Sequence, residues 1–425
     1  MKIQWQKTTG TGLVLCCAVL LASCTMLGFA PNDTAPRPPG PGDQGPVRHD
    51  IEQATSDRAQ LTTIAFDALA WMTGDFCADT FLPPGKVTDY FGFQYLRDND
   101  PDELGHNTSF VPRIANAVLA ILTDEQIDDL IALAEDQVDR INAIAEMRFP
   151  LIDGFRRQLE GDLPTGASGL DEDAIMGYGA GLFRLDGEVS VGRAIGLGAI
   201  ARSLTDAQRA ELDVLASGGS SGWPDLPDQV DKRTMPHDVH VAVMTYASEF
   251  FSWYAGSVEA DVYFCPERHG TYFGSFYLKD MPAMGNPDYS IPTELTGDQG
   301  EAFLNVLSSS QRAVIEGLLD AQRAALMEIV EVREDISIEL RKLMTQASID
   351  EAYVLDRSER YGELDGQIAA LYATAFTQVH RTLSPSQLAE IDALRNLDGY
   401  ACTGAYLFSE AIPMPEIENT DFLFE

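Results

Sequence analysis

Basic residues are scarce in this chain: 29 Lys and Arg stand against 66 Asp and Glu, for a formal net charge of −37 at pH 7. So large a negative balance opposes nucleic acid and anionic lipid surfaces, and its simplest consequence is solubility. It leaves metal cations and basic partners as permitted ligands. Histidine and cysteine are also sparse, six of each. A phosphate-cradling glycine loop, a haem-attachment C-x-x-C-H, a zincin H-E-x-x-H and a nucleophile elbow are all missing. Carboxylates are so common that no pair stands out as an acid/base couple, and the reading is a protein that is not an enzyme. Sustained β alternation is absent, which leaves an all-α class. The apolar stretch at residues 13–21 is too short to span a bilayer.

That stretch reads instead as the core of a signal peptide over residues 1–23, opened by Lys2 and Lys7. Leu21-Ala22-Ser23-Cys24 resembles a bacterial lipobox. The resemblance implies cleavage before Cys24 and lipid on that cysteine. With Thr25 rather than Asp next, it also implies an outer-membrane anchor facing the periplasm. Losing the leader removes two lysines and no acids, moving the net charge from −37 to −39. Residues 24–50, with Pro31, Pro36, Pro38, Pro39, Pro41 and Pro46 among Gly, Asp and Asn, form an extended tether. Cys77, Cys265 and Cys402 remain in an oxidising compartment. Three is odd, so at most one internal bridge forms, with Cys402 pairing either Cys77 or Cys265.

The body of the chain is written twice. Residues 71–98 and 253–280 align without a gap at an offset of 182, with 11 of 28 positions identical. Leu122-Thr123-Asp124-Glu125-Gln126 then answers Leu307-Ser308-Ser309-Ser310-Gln311 at an offset of 185, and Arg148, Arg156 and Arg157 answer Arg333, Arg341 and Lys342. From Leu170-Asp171-Glu172 against Ile349-Asp350-Glu351 the offset is 179, and it holds through Leu204-Thr205-Asp206-Ala207-Gln208 against Leu383-Ser384-Pro385-Ser386-Gln387. Such self-similarity marks a duplicated unit. The expected organisation is repeat 1 over 51–216, a Gly/Pro-rich linker over 217–233, repeat 2 over 234–399 and an irregular acidic tail over 400–425.

Each L-[ST]-x-x-Q is a helix start. The hydroxyl caps the new helix, the glutamine reaches back to the cap N–H, and the leucine staples the entry. Apolar residues recurring at three and four from Ile127 to Ile144 predict the first long amphipathic arm. Helices are further expected at 171–202, 206–215, 309–345 and 350–382. The aromatic segments at 71–98 and 253–280 read as loop with a short helix, their aromatics filling core.

Two such motifs per repeat, 82 residues apart in the first and 76 in the second, separated by an Arg-rich arm and a [LI]-D-E turn, resemble the Spy/CpxP family of periplasmic proteins. The resemblance implies helical units that dimerise into a curved cradle, here within one chain as a pseudo-dimer, shielding unfolding or envelope proteins through the arms 122–160 and 307–345. The aromatic segments, the acidity and the anchor depart from the family pattern.

An alternative reading is a metal-binding or metal-sensing lipoprotein for a divalent cation. His237 and His240, at i and i+3 on one helix face, could share a metal with Cys265 and His269. Met281 and Met284 nearby would suit copper. Repeat 1 has no counterpart, because His240 aligns with Arg58 and His269 with Val87.

Overall fold

The computed structural model describes residues 55–73, 110–218, 222–255, 282–283, 286–290, 297–395, 405–407, 410–412 and 416–425. The fold is all-α. Its helices are α1 (Asp57–Thr73), α2 (Phe110–Ile121), α3 (Asp124–Glu146), α4 (Phe149–Glu160), α5 (Glu172–Ser203), α6 (Asp206–Gly218), α7 (His237–Ala255), α8 (Gly297–Val306), α9 (Ser309–Arg341), α10 (Glu351–His380) and α11 (Pro385–Arg395). Two small antiparallel ribbons pair Pro282–Ala283 with Asn286–Ser290 and Ala405–Leu407 with Glu410–Ile412.

The capping motifs do what their chemistry predicts. Thr123, Thr205, Ser308 and Ser384 each accept from the backbone N–H of the glutamine three residues on, and that glutamine's Oε1 accepts from the cap N–H. The same glutamines then meet across each repeat. Gln208 Nε2 donates to Gln126 Oε1 at 2.8 Å and to the Ile121 carbonyl at 2.9 Å. Gln387 Nε2 donates to Gln311 Oε1 at 2.8 Å and to the Val306 carbonyl at 2.9 Å. Two helix starts and the end of the preceding helix are thereby tied together in each repeat.

The long arms differ in one respect. α9 is continuous, whereas its counterpart breaks into α3 and α4, with Pro150 in the first turn of α4. Proline removes a backbone donor and clashes with the preceding turn. Repeat 2 has Asp335 at that position and runs straight through. The arm expected over 309–345 is thus helical to Arg341, with residues Lys342–Met344 tightening into a 3-10 turn.

At the centre α5 and α10 pack antiparallel, backbone against backbone. Gly179 faces Gly366, with a Cβ built on Gly179 lying 3.7 Å from the Gly366 Cα; Phe183 faces Gly362, and Gly187 faces Ser358. Under the offset of 179 the first and last of these pairs exchange and the middle one maps onto itself. A local two-fold therefore passes through Phe183 and Gly362. A methyl on Gly362 would overlap the Gly179 carbonyl.

Around this pair the leading helices change places. α1 packs on α8, α9, α10 and α11, all from the second repeat, while α7 packs on α2, α3 and α6 of the first. The far ends of both return to their own repeat: Arg156 Nη2 donates to the Trp71 carbonyl at 2.7 Å and Arg341 Nη1 to the Trp253 carbonyl at 3.0 Å. The segment after α6 is pinned as well. Trp223 is buried edge-on against Phe251 at 5.8 Å, and its Nε1 donates to the Leu215 carbonyl at 3.2 Å.

Two outcomes follow. Gly362→Ala should cost about 1–3 kcal/mol, as overpacking of a tight contact does. Gly317→Ala, on an open face of α9, should stabilise by up to about 1 kcal/mol through helix propensity; chemical denaturation of both variants checks the contrast. Because the leading helices are exchanged, a protease site placed at residues 219–221 and cut should leave two fragments that co-elute in native size exclusion and separate only in denaturant.

Candidate functional site

The exchanged packing creates two interior polar centres at equivalent places, each between a leading helix, an arm and a central helix. In one, Arg193 of α5 and Glu249 of α7 form a buried ion pair, Nη1 to Oε2 at 2.7 Å. The Arg193 guanidinium lies 4.6 Å over the Tyr246 ring, and the Tyr246 hydroxyl donates to Gln137 Oε1 at 2.6 Å. Gln137 Nε2 closes the set on the Val189 carbonyl at 2.9 Å. Charge is balanced in this centre.

The other centre has the same frame but, among the described residues, no cation. Asp67 of α1 stands where Glu249 stands, Tyr372 of α10 where Arg193 stands, and Gln322 of α9 where Gln137 stands. The Tyr372 hydroxyl donates to Gln322 Oε1, and Gln322 Nε2 donates to Gln60 Oε1 at 3.0 Å. Asp67 is 1% exposed, and its Oδ1 has no hydrogen-bond partner among the described residues. Burial alone pushes its carboxyl well above the usual range, since a carboxylate leaving water without a counter-charge is strongly disfavoured. The Tyr372 phenol is raised as well, first by burial and then by the nearby Asp67 carboxyl. The centre thus favours a protonated carboxyl where its counterpart has an ion pair. Its signal was present in the sequence as an Arg-to-Tyr difference between aligned repeats, but only the fold identifies that difference as interior.

The histidines of the metal reading sit on the first turn of α7. His237 is exposed and His240 half-buried, its Nε2 without a hydrogen-bond partner among the described residues. Burial depresses the His240 imidazole, partly offset by Asp228, with His237 and Lys232 adding to the depression. Cys265 and His269, which would complete the ligand set, lie outside the described residues, as do Cys24, Cys77, Cys402, Met281 and Met284. Among the described residues no group of three or more His, Cys, Asp or Glu side chains is placed to hold a metal ion, and no helix is long and apolar enough to cross a membrane. No protein-family model, curated protein or solved structure matches the chain.

The two centres should respond oppositely to neutralisation. Asp67 binds its proton more tightly folded than unfolded, so its cost is nil below the unfolded value near pH 4 and grows as pH rises toward the folded value. Asp67→Asn should therefore leave stability unchanged near pH 3 and raise the melting temperature increasingly from about pH 5 upward. Glu249→Gln strands the Arg193 guanidinium and should cost about 3–5 kcal/mol at neutral pH. Thermal melts of both variants across pH 3–9 check the pair.

Proposed function

We propose that the protein is a non-enzymatic, lipid-anchored binding protein of the cell envelope, similar in plan to the Spy/CpxP proteins, that holds unfolded or envelope proteins against aggregation. The observation that carries the reading is the closure of each L-[ST]-x-x-Q pair into a glutamine clamp, Gln126 with Gln208 and Gln311 with Gln387. The resemblance rests on those motifs, and their meeting makes each pair one built unit rather than two coincidental helix starts.

Surface chemistry supports the holding role. Met327 and Ile338 on α9 and Tyr353 at the start of α10 are exposed large apolar side chains. They stand among charges: Arg360 bridges Glu328 and Glu363 on one side, and Arg357 pairs with Asp335 on the other. A surface that mixes separate apolar contacts with ion pairs can hold exposed chain segments without the large contiguous patch that would make the holder itself aggregate. The lipid on Cys24 and the tether over 24–50 would keep this body at the membrane face.

The test is light scattering of an unfolded client diluted into the chain from residue 51 onward. Suppression should be complete near one or two equivalents and negligible at a tenth of that ratio. Unchanged aggregation at a tenfold excess would remove the holding function. Met327→Asp with Ile338→Asp should weaken suppression by at least about threefold without lowering helicity.

A further inference from the structure

Residues 416–425, which read in the sequence as irregular acidic tail, lie along repeat 1 in a groove that repeat 2 does not have. The connection between α4 and α5 is six residues longer than its counterpart, because the offset falls from 185 to 179 across it. Gly161 and Gly166 turn it with φ of 80° and 91°, a region that favours glycine. Along this connection the segment makes main-chain bonds of the kind an added strand makes. Glu425 N–H donates to the Gly169 carbonyl at 3.0 Å, Ser168 N–H to the Glu425 carbonyl at 2.5 Å, and Asp171 N–H to the Leu423 carbonyl at 2.8 Å. Phe424 forms an isolated antiparallel bridge with Leu170.

Side chains add selectivity. Leu423 is fully buried over Gly154, its Cδ1 only 2.7 Å from where a Cβ on that glycine would stand. Arg157 donates to Asp421 Oδ1 at 2.7 Å and to Thr420 Oγ1 at 2.8 Å, and its guanidinium lies 4.9 Å from the Phe424 ring centre. The Thr420 hydroxyl donates to Asp153 Oδ2 at 2.5 Å, and Phe422 tilts against Tyr178 at 5.8 Å.

Repeat 2 explains what the groove is by lacking it. At the position of Gly154 it carries Glu339, whose Oε1 accepts from Asp350 N–H at 3.0 Å. That is the bond which, in repeat 1, Asp171 gives to the Leu423 carbonyl. One copy fills the space with its own side chain; the other empties it and takes in a peptide. Extended peptides recognised by main-chain pairing plus pockets for particular side chains are a recurrent binding mode.

We infer that the Gly154 groove is a peptide-binding site, that residues 416–425 are its tethered resident ligand, and that it takes free extended peptides of the same chemistry. That chemistry is a carboxylate two residues before a leucine flanked by aromatics. The inference rests on the groove and not on the holding function, so either can fail alone. With only residues 396–415 between α11 and the segment, the resident sits at an effective concentration on the order of millimolar and excludes weaker competitors.

The experiment uses a fluorescent peptide of residues 416–425, read by anisotropy. A variant ending at Pro415 should bind it one to one, at least tenfold tighter than the intact chain does. Gly154→Glu in that variant, or Leu423→Ser in the peptide, should weaken binding at least tenfold. If the shortened chain loses its helicity, the intact chain carrying Leu423→Ser serves instead, since its resident is unseated and the wild-type peptide should bind. Absence of binding to a folded variant with an empty groove, or binding that survives Gly154→Glu, overturns the inference. Unfolding of both variants overturns it too, by making the segment part of the fold rather than a ligand.

Discussion

The architecture depends on one close approach, that of the α5 and α10 backbones at Gly179, Gly362 and Gly366. Helices carrying ordinary side chains pack at about 8–10 Å between axes; here the absence of Cβ atoms lets carbonyl oxygens of one helix sit against Cα atoms of the other. The contact has consequences on either side of it. Arg148 and Arg333, equivalent in the two repeats, are both within 1% of full burial, and the equivalent Asp186 and Asp365 are 3% and 0% exposed. Arg333 Nη1 donates to the Tyr361 hydroxyl at 3.0 Å, and Phe183 packs on that tyrosine ring at 4.8 Å. Charges buried so deeply are held by geometry and tolerate little displacement. A central pair that could slide or separate would disturb all of them.

The glutamine clamps perform a related task at the ends of the bundle. A capping box alone fixes where one helix begins. When the capping glutamine also donates to the last carbonyl of the preceding helix and to the glutamine of a second box, the beginnings of α3 and α6, or of α9 and α11, are fixed against each other. Gln126 adds a bond from Nε2 to Ser203 Oγ at 2.7 Å, at the end of α5. Gln311 likewise reaches the Thr382 carbonyl at 3.0 Å, just beyond α10. The long helices are thereby anchored at one end by side-chain amides and in the middle by glycine, which sets their register without relying on apolar packing alone.

Much of this was legible in the sequence. The capping motifs gave helix starts to within a residue or two, and the offsets gave the correspondence between copies. What the offsets did not carry is which copy a helix packs against. Asp57–Thr73 aligns with His237–Ala255 whether each helix stays in its own repeat or crosses to the other, so the exchange of α1 and α7 left no trace in the alignment. Of the glycines at 177, 179, 181, 187, 192, 196 and 198 of the 32-residue α5, only Gly179 and Gly187 face α10. Gly192 and Gly196 lie against Gln137 and Leu133 of α3 and Gly198 against Leu343, so the glycine count alone did not say which neighbour comes close. Glycine at that density in a helix interior is costly unless close approach repays it. The groove was legible only as differences: a glycine against Glu339, and six inserted residues. Neither points to a ligand until residues 416–425 are seen lying there.

The halves differ on the local two-fold too, where Phe183 answers Gly362 and Gly179 answers Ser358, but the acid centre and the groove both lie away from it. In a symmetric dimer of identical chains every substitution appears twice, so a site cannot change on one side only. Two similar halves within one chain lift that constraint, though unequally across the molecule. Near the axis the two copies touch each other: Gly179 and Gly187 oppose Gly366 and Ser358, and a change in one copy is felt at once by the other. Off the axis a copy meets its own surroundings. There the Arg193–Glu249 pair can persist in one half while Tyr372 and Asp67 replace it in the other. Glu339 can likewise close a space that Gly154 leaves open. Function specific to one half is therefore most readily built at such positions, and the acid centre and the peptide groove are two of them.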